Sequence, residues 1–64
     1  MYFSTDKFEF IHGHKPGGRR QDWVFGDPEG QEQVSAPSGM SFIEVKKWFK
    51  QQYPGYKGKV VVLP

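Results

Sequence analysis

The sequence predicts an α+β fold, in which a small antiparallel sheet of three to four strands is covered on one face by a single amphipathic helix. Three observations carry this prediction. Phe8 and Phe10 alternate with charged residues, a capped stretch with helical periodicity follows Met40, and a β-branched run spans Val60 to Val62. A chain of 64 residues has room for one core, so a single domain over residues 1–64 is expected.

The first strand is predicted over Tyr2–Ile11, and a break near Thr5-Asp6 is left open as an alternative. Phe8 and Phe10 fall on the same side of an extended chain, and we expect this aromatic pair to face the core. Residues 12–20 then form a glycine-rich loop, because three glycines and Pro16 break any regular pattern.

A second strand is predicted over Gln21–Gly26, with Trp23 and Phe25 sharing one face. The next four residues, Asp27-Pro28-Glu29-Gly30, are typical of a turn, since Asp, Pro and Gly each favour one of its positions. The turn returns the chain into a weak strand over residues 31–35, which we expect at a sheet edge.

The helix has the clearest signals. Ser41 and Glu44 have the spacing of a capping box, and Pro54-Gly55 ends the helical pattern. The apolar stripe consists of Phe42, Val45, Phe49 and Tyr53, with Trp48 on its flank. A last strand over residues 59–63 is expected to be buried on both faces, giving the order β-β-β-α-β.

Composition excludes some function classes. The chain has no cysteine, which excludes disulfides and thiolate metal sites and favours a reducing, cytoplasmic setting. No apolar run approaches the ~18–20 residues that span a bilayer, and the N-terminus lacks the apolar core of a signal peptide. We therefore expect no membrane association and no cofactor.

Charge is distributed in blocks. Residues 21–44 contain five acidic residues and no Lys or Arg, whereas residues 45–64 contain five lysines and no acidic residue. Such asymmetry indicates a polarised surface that would steer a charged partner. The alternative is that folding brings the blocks together and they neutralise one another.

Metal binding and catalysis receive little support. His12 and His14 would point to the same side of an extended strand. The candidates for a third ligand are dispersed along the chain (Asp22, Asp27, Glu29 and Glu32) and cationic residues follow the histidines closely, so we predict no metal site. No serine is placed beside a histidine and an orienting group by any motif, and we expect no enzymatic activity and no catalytic residues.

The first functional hypothesis is a small nucleic-acid-binding module for DNA or RNA. Cationic residues in the loop and on the helix would contact phosphates. The predicted contact residues are Lys15, Arg19, Arg20, Lys46, Lys47 and Lys50. The hypothesis requires the loop and the helix lysines to share one face.

The alternative is a protein-binding module, an inhibitor or adaptor, in which exposed apolar and aromatic residues anchor a partner. The residues predicted for this role are Ile43, Trp48, Tyr53 and Tyr56. The chain would then be a monomer, or a weak dimer through the edge strand at residues 31–35.

Two resemblances accompany these hypotheses. Over residues 7–53, the order of a basic segment, a Trp-containing strand, a turn, a third strand and a helix is similar to DNA-binding domains of the AP2 and integrase N-terminal types. These domains imply a three-stranded sheet that reads a DNA groove. A second resemblance is to small uncharacterised proteins of bacteria and their phages, which implies no particular activity. The motifs that carry it are His12-Gly13-x-Lys15-Pro16, Trp23-x-Phe25, Met40-Ser41-x-x-Glu44-x-Lys46-Lys47 and Val62-Leu63-Pro64.

Overall fold

The computed structural model describes all 64 residues and confirms the α+β class. Its elements are, in chain order, β1 (Tyr2–Ser4), α1 (Asp6–His12), β2 (Arg19–Arg20), β3 (Val24–Gly26), β4 (Gln33–Ser35), β5 (Met40–Ser41), α2 (Phe42–Gln52) and β6 (Lys59–Val62).

The main sheet has the strand order β1-β6-β3-β4. It is mixed, because β1 pairs with β6 in parallel while β6, β3 and β4 are antiparallel neighbours. Phe25 lies at the centre, opposite Val34 on one side and Val62 on the other. The return strand β4 lies at the sheet edge, as the sequence predicts.

The predicted strand over Tyr2–Ile11 is wrong beyond Ser4. Residues 6–12 form α1, which has Asp6 and Glu9 in its first turn and is followed by Gly13 at a φ of 75°. Acidic residues near a helix N-terminus and a left-handed glycine after its last residue both favour a helix.

Because residues 6–12 form α1 and not a strand, Phe8 and Phe10 lie in different surroundings from those expected. Phe8 is buried, but Phe10 is 87% exposed, because residues two apart on a helix lie on different faces. The expected inward-facing pair is therefore replaced by one core residue and one surface residue.

The glycine-rich loop is shorter than predicted and covers residues 13–18. His12 ends α1, and the two arginines form β2, which pairs with β5 in a separate two-stranded ladder. Arg19 lies opposite Ser41, and Arg20 lies opposite Met40. Because β5 leads directly into α2, the ladder attaches the loop to the start of that helix.

The predicted start of α2 is confirmed. The Ser41 hydroxyl accepts the backbone N–H of Glu44 at 3.3 Å, and the Glu44 carboxylate accepts the backbone N–H of Ser41 at 2.9 Å. These reciprocal bonds satisfy two amide groups that a helix N-terminus leaves free. The turn at Asp27–Gly30 is also confirmed, since the Gly30 N–H donates to the Asp27 carbonyl at 3.1 Å.

The core lies between the main sheet and α2, and Phe8 of α1 also belongs to it. Its buried apolar residues are Phe8, Trp23, Phe25, Val45, Phe49, Val60 and Val62. Val61 is buried as well, although its side chain points away from those of its neighbours. The last strand is therefore covered on both faces, as predicted.

Candidate functional site

Arg19, one of the two loop arginines predicted to contact phosphate, is engaged within the fold. Its Nη1 donates to the Gly39 carbonyl at 2.8 Å and to Glu44 Oε1 at 2.6 Å. The same carboxylate accepts the Ser41 amide, so Arg19 supports the cap of α2. The hydrogen bonds from Ser41 are the main cause that lowers the pKa of Glu44, and the charge of Arg19 lowers it further.

Arg20, the second loop arginine, lies between two aromatic rings. Its guanidinium carbon is 4.9 Å from the centroid of Phe8 and 5.0 Å from the centroid of Trp23. Nη1 is buried and has no hydrogen-bond partner. A cation over aromatic faces gains electrostatic attraction, which compensates for part of the lost hydration. Arg20 therefore acts as a packing residue.

The aromatic contact continues onto α2. The rings of Trp23 and Phe42 stack with centroids 5.5 Å apart and planes 16° apart, and Lys46 Nζ lies 4.5 Å from the Phe42 centroid. Trp23 is fully buried, and its Nε1 donates to the Met40 carbonyl at 2.7 Å. The stack joins the ladder to α2 and offers no free aromatic surface at Trp23 for a nucleic-acid base.

The remaining predicted cations are on the surface. Lys47 and Lys50 are exposed on α2, and Lys15 is exposed in the loop. The chain contains one ion pair, Arg19–Glu44, so the acidic and basic blocks do not neutralise one another through contacts. Arg19 contacts the first turn of α2 through Glu44, and Arg20 pairs with Met40 just before that helix. No hydrogen bond or ion pair connects Lys15 to α2.

The two histidines do not share a strand, because His12 ends α1 and His14 follows Gly13. Their ring centroids are 6.1 Å apart, and both rings lie near Phe8, at 4.2 and 5.9 Å. No group of three or more His, Cys, Asp or Glu side chains is arranged to hold a metal ion. No serine hydroxyl is hydrogen-bonded to a histidine.

The residues predicted for protein binding fall at two ends of α2. Ile43 is 64% exposed in the first turn, whereas Tyr53 and Tyr56 follow the last turn and are partly exposed. Tyr53 lies ten positions after Ile43, which corresponds to about 15 Å along a helix axis. Trp48 is half-buried and packs its ring edge-on near Phe49. The four residues therefore do not form one patch.

The two tyrosines instead line a groove of about 100 Å³ at the turn end of the β3–β4 hairpin. Phe49 lies at its base, with its ring centroid 4.9 Å from that of Tyr53 and 6.2 Å from that of Tyr56. The other residues that line the groove are Phe25, Gly26, Asp27, Glu32, Val34 and Val60. We refer to this hollow, with its 9 lining residues, as the tyrosine groove.

Local hydrogen bonds hold the walls of the tyrosine groove. The Tyr56 hydroxyl donates to the Lys59 carbonyl at 2.7 Å, and the Tyr56 N–H donates to the Tyr53 carbonyl at 3.1 Å. Asp27 Oδ1 accepts the Gln31 N–H at 2.6 Å. Glu32 makes no side-chain hydrogen bond and no ion pair. The groove is thus preformed, and one of its lining residues, Glu32, has an unpaired carboxylate.

Sequence reasoning missed the acidic part of this groove. The sequence places Asp27 and Glu32 in a turn and its return strand and among dispersed candidates for a third metal ligand, and it predicts Pro54-Gly55 only as the end of a helix. The sequence does contain one usable signal, which is the pair of turns at Asp27–Gly30 and Pro54-Gly55. The first turn ends β3 and the second follows α2, and because β3 and α2 pack on one another, the two turns meet at the same edge of the core.

A second surface was also missed. Phe10 and Ile11 lie side by side on α1, at 87% and 62% exposure, and form a shallow hollow with Asp6, Lys7 and Pro64. The strand predicted for this segment placed Phe10 in the core and therefore hid the surface.

No helix of the chain is long and apolar enough to cross a membrane. Comparison with protein-family models, curated proteins and solved structures gives no significant match. The resemblance to small bacterial and phage proteins stays a prediction. The likeness to three-stranded DNA-binding domains is weakened, since residues 6–12 form a helix and β2 lies outside the main sheet.

Proposed function

We propose that this chain is a non-enzymatic protein-binding module that uses the tyrosine groove. The observation that carries the proposal is the groove itself, a preformed concavity with aromatic walls beside an edge strand. Tyrosine contributes large contact area at low entropic cost and is enriched among residues that dominate binding energy.

The position of the groove supports this function. Val34, which lines it, belongs to β4, and β4 is the free edge of the main sheet. An exposed strand edge accepts an extended segment of a partner through backbone hydrogen bonds. A volume of about 100 Å³ suits a single side chain of such a segment, whereas small-molecule sites occupy roughly 300–1,000 Å³.

The test is selection from an unbiased library of displayed peptides, with the protein immobilised through its N-terminus. We expect enriched peptides whose binding is lost in Tyr53→Ala. Gln51→Ala is the matched control, because Gln51 is exposed on the same helix and does not line the groove. Peptides that bind Tyr53→Ala as well as the wild type, or a selection without enrichment, would contradict the proposal.

Nucleic-acid binding is the second candidate, and one observation favours it. Lys46, Lys47 and Lys50 have no carboxylate partner, and Lys15 is also unpaired. Phosphate contacts of this kind give affinities that fall steeply between about 50 and 200 mM salt.

Fluorescence polarisation with single- and double-stranded oligonucleotides tests this candidate. Binding with a steep salt slope that falls in Lys47→Ala/Lys50→Ala would support it. Arg19→Ala is the matched control, since Arg19 is already paired with Glu44 and its loss should leave affinity nearly unchanged. We place either activity in a reducing, cytoplasmic setting, for which the absence of cysteine is the supporting observation.

A further inference from the structure

The tyrosine groove combines two features that each favour a cation. Four aromatic residues line it, and an ammonium or guanidinium within about 6 Å of an aromatic centroid is attracted to the ring. Two acidic residues, Asp27 and Glu32, line the same hollow. The ligand chemistry can therefore be specified beyond protein binding in general.

The carboxylates are not neutralised within the chain. The single ion pair lies at Glu44, so Glu32 has no cationic partner and Asp27 accepts only backbone N–H groups. Glu29 lies in the same turn and adds to the negative potential. An incoming cation would gain both charge attraction and aromatic contact, whereas an anion would be repelled.

The edge strand determines how the ligand would be presented. Phe25 of β3 lies opposite Val34 of β4. Two residues away on either side, the Asp27 N–H donates to the Glu32 carbonyl and the Ala36 N–H donates to the Trp23 carbonyl. In antiparallel pairing, hydrogen-bonded residues alternate along a strand with residues whose backbone groups point away from the partner strand. Gln33 and Ser35 therefore present N–H and C=O groups along the free edge.

An extended segment that pairs with this edge places every second side chain on the same face as Val34. That face contains the groove, and the groove volume of about 100 Å³ accommodates the end of one side chain. We propose that the tyrosine groove binds the cationic end of a Lys or Arg side chain, carried by an extended segment of a partner protein paired with β4. This inference rests on the proposed protein-binding function.

Short peptides of alternating Thr and Val test the proposal, with Lys, Arg, norleucine or Glu at the central position. Norleucine keeps the alkyl chain of Lys without its charge. At about 50 mM salt we expect the Lys and Arg peptides to bind at least about tenfold more tightly than the norleucine peptide. Titration of ¹⁵N-labelled protein should shift the amide signals of residues 32–35 and 53–56.

Glu32→Gln should reduce the preference for Lys over norleucine, because it removes the free carboxylate and preserves shape. Glu29→Gln is the matched control, since it removes the same charge from the same turn without altering the groove lining. If both variants reduce the preference equally, overall charge and not the groove selects the cation, and the proposal is wrong.

Two other outcomes would separate this inference from the function on which it rests. Equal binding of the Lys and norleucine peptides would reject the cation site and leave the protein-binding function standing. Absence of amide shifts with every peptide at millimolar concentration would reject the cation site as well. The library selection then decides whether the groove binds protein by other chemistry.

Discussion

The guanidinium carbon of Arg20 lies 5.0 Å from the ring centroid of Trp23 and 4.9 Å from that of Phe8, so one cation contacts two aromatic rings. This relationship joins three parts of the chain, since Phe8 is in α1, Arg20 is in β2 and Trp23 precedes β3. Arg20, which the sequence predicts as a phosphate contact, therefore packs at the boundary of the core.

The first prediction concerns this stacking. Arg20→Ala should lower the free energy of unfolding by about 1–2 kcal/mol, because it removes a partly desolvated cation–π contact and the packing of the side-chain stem. Arg20→Lys should recover little of the loss, since an ammonium lacks the planar surface of a guanidinium. Urea denaturation followed by circular dichroism measures both variants.

Arg19→Ala is the control for Arg20. Its ion pair with Glu44 is exposed to solvent, with 64% of the Arg19 side chain accessible, and should contribute less to stability. A loss for Arg19→Ala that equals or exceeds the loss for Arg20→Ala would contradict the structural role assigned to Arg20.

The second prediction concerns Trp23 and the carbonyl that it binds. Trp23→Phe keeps an aromatic ring but removes the Nε1 donor, so the Met40 carbonyl loses its partner. We expect a loss of at least about 1–3 kcal/mol in the free energy of unfolding. Trp48→Phe, at a half-buried position without such a bond, should cost clearly less. Equal losses in the two variants would argue against the hydrogen bond.

The third prediction concerns the cap of α2. Ser41→Ala should destabilise the protein by about 1 kcal/mol, because the Glu44 N–H loses its acceptor at the helix N-terminus. Ser38→Ala is the control, as Ser38 is exposed and caps no helix. Thermal unfolding of the two variants should differ by several degrees, and coincident transitions would contradict the prediction.

The fourth prediction is a pH dependence. The fold lowers the pKa of Glu44, so its stabilising effect is complete above the pKa of an unfolded glutamate, about 4.3. The effect is lost as the pH falls through the lower folded-state pKa. The stability difference between wild type and Glu44→Gln should therefore be constant near neutrality and shrink below about pH 4.3.

Arg19→Ala provides the internal check on that pH dependence. The hydrogen bonds from Ser41 are the larger cause of the lowered pKa, and Arg19 is the smaller one. The variant should thus reduce the pH dependence without abolishing it. Denaturant titrations from pH 7 to pH 3 measure the effect, and a difference that does not change with pH would refute the assignment.

Local signals explain which elements the sequence predicts correctly. Ser41, Glu44 and Pro54-Gly55 mark the ends of α2, the Asp27–Gly30 turn needs only four residues, and the β-branched run of β6 has no helical alternative of comparable quality. Each of these signals acts between neighbours in the chain. The structure confirms all three elements.

The rest depends on contacts between distant residues or on ambiguous short patterns. The ladder of Arg20 with Met40 joins residues 20 positions apart, and no local signal indicates it. The tyrosine groove requires the hairpin tip and the end of α2 to meet, which only tertiary packing decides. The groove residues Tyr53 and Tyr56 were predicted as partner contacts, but their carboxylate neighbours were not.

Residues 6–12 illustrate the ambiguity of a short pattern. Phe8 and Phe10 match a two-residue strand period, while Phe8 and His12 match the spacing of one helical turn equally well. The ring contact of Phe8 with His12 at 4.2 Å shows which period the fold uses. The acidic first turn and Gly13 were the signals that favoured a helix.

The last prediction tests directly whether residues 6–12 form a helix or a strand. Phe8→Ala should lower the free energy of unfolding by about 3–5 kcal/mol, because Phe8 is buried in the core and borders Arg20. Phe10→Ala should change it by less than about 0.5 kcal/mol, since that side chain is 87% exposed. A strand with both rings inward would instead make the two variants comparably unstable. If Phe8→Ala fails to fold, Phe8→Leu gives a smaller, measurable loss at the same position, and Phe10→Leu is its matched control.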